Sequence, residues 1–286
     1  MFHAKRTTLR GLVLLAALLV GAGLRPAWGA EAPLVFGVFP HLTARQLLVT
    51  YRPLAAVLEK RLGRPVLVYS ARDFRTFIAR TRAGEYDLLL TAPHLAWLAR
   101  QEAGYRPLLK YSEPVHALLL TRTDSKLAAM QDLRDRVVAV ADEIALATLA
   151  IELDLTAEGL ERDRDYRTLP AVTPVNAMTQ LLAGRADAAI VGTHPFKMLP
   201  AEKRAQLRVV ARTHAMSSLT YLAHPRLSDD AAQGLREGLL EFAASPAGRE
   251  FLAKGGFGTL VEADDSELAA FRPHALRTQA LLRAAP

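Results

Sequence analysis

Four histidines stand directly after apolar runs of strand length: His41, His94, His194 and His214. An imidazole in such a place can donate to an oxyanion or, beside a carboxylate, ligate a divalent metal. Thr43, Thr91 and Thr193 offer hydroxyls at comparable turns. Ala92 precedes Pro93 where a helix start would present free backbone amides to an anion. Asp142 and Glu143 also follow a strand-like run and would suit a metal or an amine-bearing solute. Tyr111, at a strand end beside Ser112, is a candidate for stacking on a ligand, whereas Trp97 reads as core because it lies one turn into an apolar helix. Asp87 and Asp187 open their strands, away from the carboxyl edge, and fit turn bonding better than acid-base chemistry. No HxH, HxxxH or HExxH pair supplies a local metal grip. No GxSxG elbow, Walker A loop, GxGxxG fingerprint or SxxK is present. No catalytic residue, resident metal or cofactor is therefore expected, and an enzyme is the weakest reading.

Two stretches one hundred residues apart position these groups. Ala83-Gly84-Glu85-Tyr86-Asp87 and Ala183-Gly184-Arg185-Ala186-Asp187 each read as a helix end, a Gly that stops it, an Asp and an apolar strand, with His94 or His194 where the strand emerges. One architectural unit used twice would put both histidines at strand carboxyl ends, the edge where open α/β sheets bind ligands. Strands are expected at 34–39, 65–70, 86–90, 106–111, 115–121, 136–141, 166–169, 188–191, 207–212 and 219–223. Helices are expected from the turn at 40–43 to about 62, and over 73 to 82, 93 to 103, 142 or 143 to 154, 174 to 182, 228 to 244, 246 to 254 and 265 to 282. This order gives two α/β lobes, each with a largely parallel sheet. The first lobe is expected to be discontinuous, 30–120 plus 214–286, and the second to span 121–213, so the twice-crossed connection could act as a hinge.

The amino terminus has the parts of a cleavable secretory signal over 1–29: Lys5, Arg6 and Arg10, an apolar run over 11–24, and a small-residue exit with cleavage after Gly29. Four of the 36 basic residues lie in that segment, which leaves 32 against 29 acidic residues, a net charge of +3 rather than +7. Such a balance, without a basic run, gives no reason to expect nucleic acid as a partner. The chain has no cysteine, which excludes disulfides, thiolate metal sites and a lipidated amino-terminal cysteine. A free periplasmic protein fits these features.

The runs FGVFP (36–40), YRPLAAVLEKRLGRPV (51–66), SARDFRTFIARTRAGEYDLLLTAPHLAWLA (70–99) and LLAGRADAAIVG (181–192) resemble the periplasmic substrate-binding components of ABC transporters. The likeness is to the phosphate, phosphite and phosphonate (PhnD-like) family. That resemblance spans nearly the whole mature chain and implies a type II periplasmic binding protein, two α/β lobes with a ligand cleft between them. It further implies capture of a small solute, a phosphonate- or phosphate-type oxyanion, for delivery to an inner-membrane ABC permease by a monomer. The same fold can instead serve as a ligand sensor for a membrane receptor kinase. The family's Ser-Thr-rich turn after the first strand of the second lobe is here Ala141-Asp142-Glu143-Ile144-Ala145, with no hydroxyl before Thr148. A carboxylate capping that helix would occupy the anion-binding amides. The expected ligand contacts are His41, Thr43, Thr91, Ala92, His94, Tyr111, Asp142, Glu143, Thr193 and His194.

Overall fold

A computed structural model of the protein describes residues 32–284; the expected signal over 1–29 and its cleavage after Gly29 lie outside them. The chain first lays down β1 (Leu34–Val38), α1 (Ala44–Leu62), β2 (Val66–Tyr69), α2 (Phe74–Arg82), β3 (Leu88–Thr91), α3 (Pro93–Ala103) and β4 (Arg106–Tyr111). It then builds β5 (Ala117–Arg122), β6 (Val137–Val140), α4 (Leu146–Ala157), β7 (Arg167–Pro170), α5 (Pro174–Leu182), β8 (Ala188–Gly192), α6 (Thr193–Met198), α7 (Ala201–Arg204) and β9 (Leu207–Arg212). It returns through β10 (Thr220–Ala223), α8 (Asp229–Ala244), α9 (Pro246–Gly255), β11 (Leu260–Glu262), α10 (Asp265–Ala269) and α11 (Arg272–Ala284).

These strands form two sheets, ordered β11-β4-β10-β3-β1-β2 and β7-β6-β8-β5-β9. In each, a parallel trio (β2-β1-β3 and β7-β6-β8) is extended by an antiparallel strand, β10 or β5, that follows a crossing from the other lobe. The repeated sequence does the same work twice. Gly84 and Gly184 both sit at φ +70, a left-handed conformation that glycine adopts without Cβ strain. Asp87 Oδ2 accepts from the Val35 amide at 2.7 Å and Asp187 Oδ2 from the Val137 amide at 2.9 Å, so each aspartate pins the start of the neighbouring central strand.

Most expected elements fall within about two residues of those observed, whereas β11, α6 and α7 are not among the expected ones. Three further differences bear on how the lobes are joined and packed. All of β5 pairs within the second sheet, so the first crossing occupies 112–116 rather than following residue 120. The second crossing, 213–219, meets it in an antiparallel bridge, Val115 to Met216. The helix after β6 starts at Leu146, not at Asp142 or Glu143. The expected helix over 265–282 is two helices, because the turn between α10 and α11 buries Phe271 in the core of the first lobe.

The first lobe's core carries Phe36, Tyr51, Leu54, Phe77, Leu89 and Leu235, among others, and also takes in Ile144 and Leu146 from the β6–α4 connection of the second lobe. The second lobe packs separate apolar layers on the two faces of its sheet. The lobes are thus closed on each other, with the second inserting a short apolar segment into the first. Among the described residues no helix is long and apolar enough to cross a membrane.

Candidate functional site

Between the lobes lies a cleft of about 110 Å³. Phe39, His41, Leu42, Phe74, Ala92, Pro93, Leu219 and Phe257 of the first lobe form one wall. Ala141, Ala145, Leu146, Ala147, Pro174 and the run 192–195 with Met198 form the other. Val115, His116 and Met216, from the two crossings, close the hinge side. None of the residues lining it is Asp, Glu, Lys or Arg.

The helix starts are distributed unequally around the molecule. Helices α1, α2, α5, α8, α9 and α10 begin on Thr43, Asp73, Thr173, Ser228, Ser245 and Asp264, each accepting a first-turn amide through its side chain. Helices α3 and α4 begin on Ala92 and Ala145, which have no side chain able to do so, and both of these residues line the cleft. The short α6 follows Gly192, also at the cleft and also uncapped; the four-residue α7, uncapped as well, starts at Pro200 outside it. Of the helices whose first residue or cap lines the cleft, α2 and α5 are capped, by Asp73 and Thr173. First-turn amides left free at the ends of α3 and α4, one from each lobe, carry the positive pole of the helix toward the same space.

The histidines differ in what they leave available. His41 Nδ1–H donates to the Phe39 carbonyl at 2.9 Å and Nε2 accepts from the Tyr51 hydroxyl at 3.4 Å, so both nitrogens are engaged and the ring forms wall. It stacks on Phe39 at 4.4 Å. His194, 6 % exposed, lies edge-on to the Phe257 ring of the first lobe at 4.6 Å, and its buried Nε2 has no protein partner. Burial brings both pKa values down from 6.5 to about 4, with Lys197 and His41 adding smaller repulsions at His194, so both rings are neutral near pH 7. His94 is fully buried and reaches the other lobe: its Nε2–H donates to the Ile144 carbonyl at 3.0 Å, and burial takes its pKa to about 3.

Of the expected contacts, His41, Ala92, Thr193 and His194 are brought together on the cleft walls. The Thr193 hydroxyl accepts from the His116 amide and so also braces the hinge. Thr43 is exposed and engaged in a capping box with Gln46. Thr91 is buried behind Ala92, its hydroxyl unpartnered, and it does not cap α3. Tyr111 lies one layer back, bonded to the Tyr221 hydroxyl at 2.6 Å and stacked at 4.3 Å on Phe257, the ring that faces the cleft. His214 is exposed and stands off the cleft.

The carboxylates do not cap α4, because the helix starts beyond them. Asp142 Oδ1 instead accepts from the Ile144 amide at 2.8 Å, and Glu143 pairs with Arg75 of the first lobe and Arg162 of the second. Neither lines the cleft, and among the described residues no cluster of acidic and histidine side chains is arranged to hold a metal ion.

Sequence reasoning missed Leu42, His116, Met198, Met216, Leu219 and Phe257. One signal for Phe257 was available, its glycine neighbours. A Cβ on Gly255 would meet the Phe257 ring at 2.0 Å, and Gly256 and Gly258 take φ +63 and +73, so the glycines let the ring fold back toward the cleft.

A family model for the periplasmic substrate-binding protein of ABC phosphonate transporters matches residues 36–268. No curated protein matches. Among solved structures, the binding component of an ABC phosphonate transporter from Pseudomonas aeruginosa superposes with a TM-score of 0.78 at 18% identity, covering 88% of this chain and 89% of its own. PhnD1 from Prochlorococcus marinus, in complex with methylphosphonate, gives 0.77 at 12% identity over 86% and 98% of the two chains. The alkanesulfonate-binding protein SsuA from Xanthomonas axonopodis pv. citri, bound to MOPS, gives 0.56 at 18% identity over 89% and 94%. At these identities the structures speak to fold, which is that of type II periplasmic binding proteins. With the family model spanning both lobes and the crossings between them, the chain belongs to the phosphonate family of periplasmic substrate-binding proteins, binding components of ABC transporters rather than enzymes.

Proposed function

We propose that the protein, exported by its amino-terminal signal and acting as a monomer, closes on a small oxyanion with a short apolar substituent, an alkylphosphonate in type, and delivers it to an ABC permease. The observation that carries this reading is the pair of uncapped helix starts, Ala92 and Ala145, on opposite walls of one apolar cleft. Free amides in a space without competing charge are strong donors to an oxyanion, and His194, neutral and with Nε2 unpartnered, can add a third donor. The hydroxyls of the family's usual turn are missing, and backbone amides serve in their place. The remaining walls, Leu42, Phe74, Met198, Met216 and Leu219, favour an uncharged substituent, since an ammonium would be desolvated there without a carboxylate to meet it. The cleft, about 110 Å³, is the size of a small-solute site.

A thermal-shift panel tests this. At one hundred times Kd a ligand adds about 2.7 kcal/mol, on the order of 5–10 °C for a protein of this size. Methyl- and ethylphosphonate are expected to give such a shift and 2-aminoethylphosphonate a smaller one at equal concentration. Stabilisation by the amine alone would contradict the reading.

A further inference from the structure

We infer that His94 is the positioning residue that locks the two anion-donating helix ends together, its side chain serving as a cross-lobe tie while its own helix offers amides to the cleft. The geometry is local and directed. His94 is the second residue of α3, and its Nε2–H donates at 3.0 Å to the carbonyl of Ile144, the residue immediately before Ala145, the start of α4. One imidazole therefore spans from the first turn of one uncapped helix to the threshold of the other. A carbonyl can only accept, so the bond fixes the Nε2–H tautomer and leaves Nδ1 as a lone pair, buried and unpartnered.

The segment it holds faces the first lobe, although Glu143 also pairs with Arg162 of its own lobe. Ile144 is fully buried and, with Leu146, sits in the first lobe's core; Glu143, just before it, pairs with Arg75 of α2. Packing and the half-exposed ion pair draw the segment in but do not set its register, because apolar contact is non-directional and a partly exposed ion pair is weak. The His94 bond does set it. His194 makes the reciprocal crossing, from the second lobe to Phe257 of the first, through ring contact rather than a hydrogen bond. The His94 imidazole thus spends its one N–H donor on the opposite lobe. The tie itself stands on this geometry; its consequence for affinity rests on the ligand reading above.

The test uses the cysteine-free chain carrying single cysteines at exposed Lys60 and Lys203, one per lobe, for labelled distance measurements without and with methylphosphonate. His94→Leu and His94→Asn remove the bond, the second because its amide is too short; His94→Gln keeps a donor at nearly the Nε2 position. The Leu and Asn variants are expected to show longer inter-lobe distances without ligand and about tenfold faster methylphosphonate release, with the Gln variant within threefold of wild type in both. Should the Leu variant fail to fold, the Asn and Gln pair decides. Unchanged distances and release in the Asn variant, or a Gln variant as impaired as Asn, would overturn the tie. If wild type ignores methylphosphonate, the ligand reading fails, and the ligand-free distances still judge the tie.

Discussion

In the proposed reading His194 Nε2, buried and unpartnered, is the side-chain donor to the ligand; of the other two cleft imidazoles, His41 has given both nitrogens to Phe39 and Tyr51, and His116 donates through Nδ1 to the Thr213 carbonyl. His194→Leu is therefore expected to weaken methylphosphonate binding about tenfold or more by calorimetry, the scale of one lost hydrogen bond to a charged group, while His41→Phe changes it less. Both effects equal, or His41 dominant, would show that the donor lies elsewhere. The same burial has a consequence for pH. His41, His94 and His194 are neutral in the fold down to about 4, 3 and 4, whereas an unfolded histidine titrates near 6.5. Protons thus bind the unfolded chain first: stability is full above about pH 6.5 and declines as pH falls through about 4. Melting temperatures measured from pH 7.5 to 4.5 are expected to drop across that window, and a flat profile would contradict the neutral, buried assignment. The chemistry of these residues was only partly legible in sequence. That a histidine followed a strand could be read; which of its nitrogens was free depended on Tyr51, Ile144 and Phe257, contacts set by tertiary packing.

At the scale of elements, α3 and α4 stand out by lacking a cap, whereas α2 and α5, which also start on the cleft, are capped. Among the described residues six helices carry a Ser, Thr or Asp whose side chain bonds the first turn, and the two longer helices that meet across the cleft, α3 and α4, start on alanine. The alanines were visible in the sequence, but Asp142 and Glu143 masked one of them. A helix start misplaced by three or four residues turned an ion pair and a loop bond into an apparent cap. The α9–β11 connection shows a different constraint. Gly256 ends α9 at φ +63, and a Cβ there would lie 2.9 Å from Cδ of Lys197, which reaches over from the second lobe. Gly256→Ala is expected to destabilise by about 1–2 kcal/mol from the left-handed backbone alone, roughly 2–8 °C in melting temperature. No change in denaturation midpoint would mean that the backbone relaxes freely. The apolar wall residues Leu42, Met198, Met216 and Leu219 gave no sign of their role, because a cleft wall and a core face have the same hydrophobic pattern until the partner lobe is placed.

For the whole molecule, the repeated Gly-x-x-Asp units made the two-lobe plan readable. Each Gly stops a helix in the left-handed region and each Asp pins a central strand, so equal spacing produced equal geometry. The hinge was less readable. Where the chain leaves one sheet is decided by which strand β5 pairs with, a long-range choice that local propensity does not encode. Closure then joins the lobes through Ile144 and Leu146 in the first lobe's core, Glu143 on Arg75, His94 on Ile144 and His194 on Phe257. A ligand taken up by amides from both lobes would favour this closed arrangement in proportion to its preference for it. The most direct test is a calorimetric titration of methylphosphonate into wild type and into Ala145→Asp. The new carboxylate would cap α4, raising ligand-free stability by about 0.5–1 kcal/mol, while occupying the amides proposed to hold the anion. One-to-one binding by wild type and its loss in the more stable variant is the predicted result. Undiminished binding by Ala145→Asp would show that the uncapped helix start is not where the anion sits.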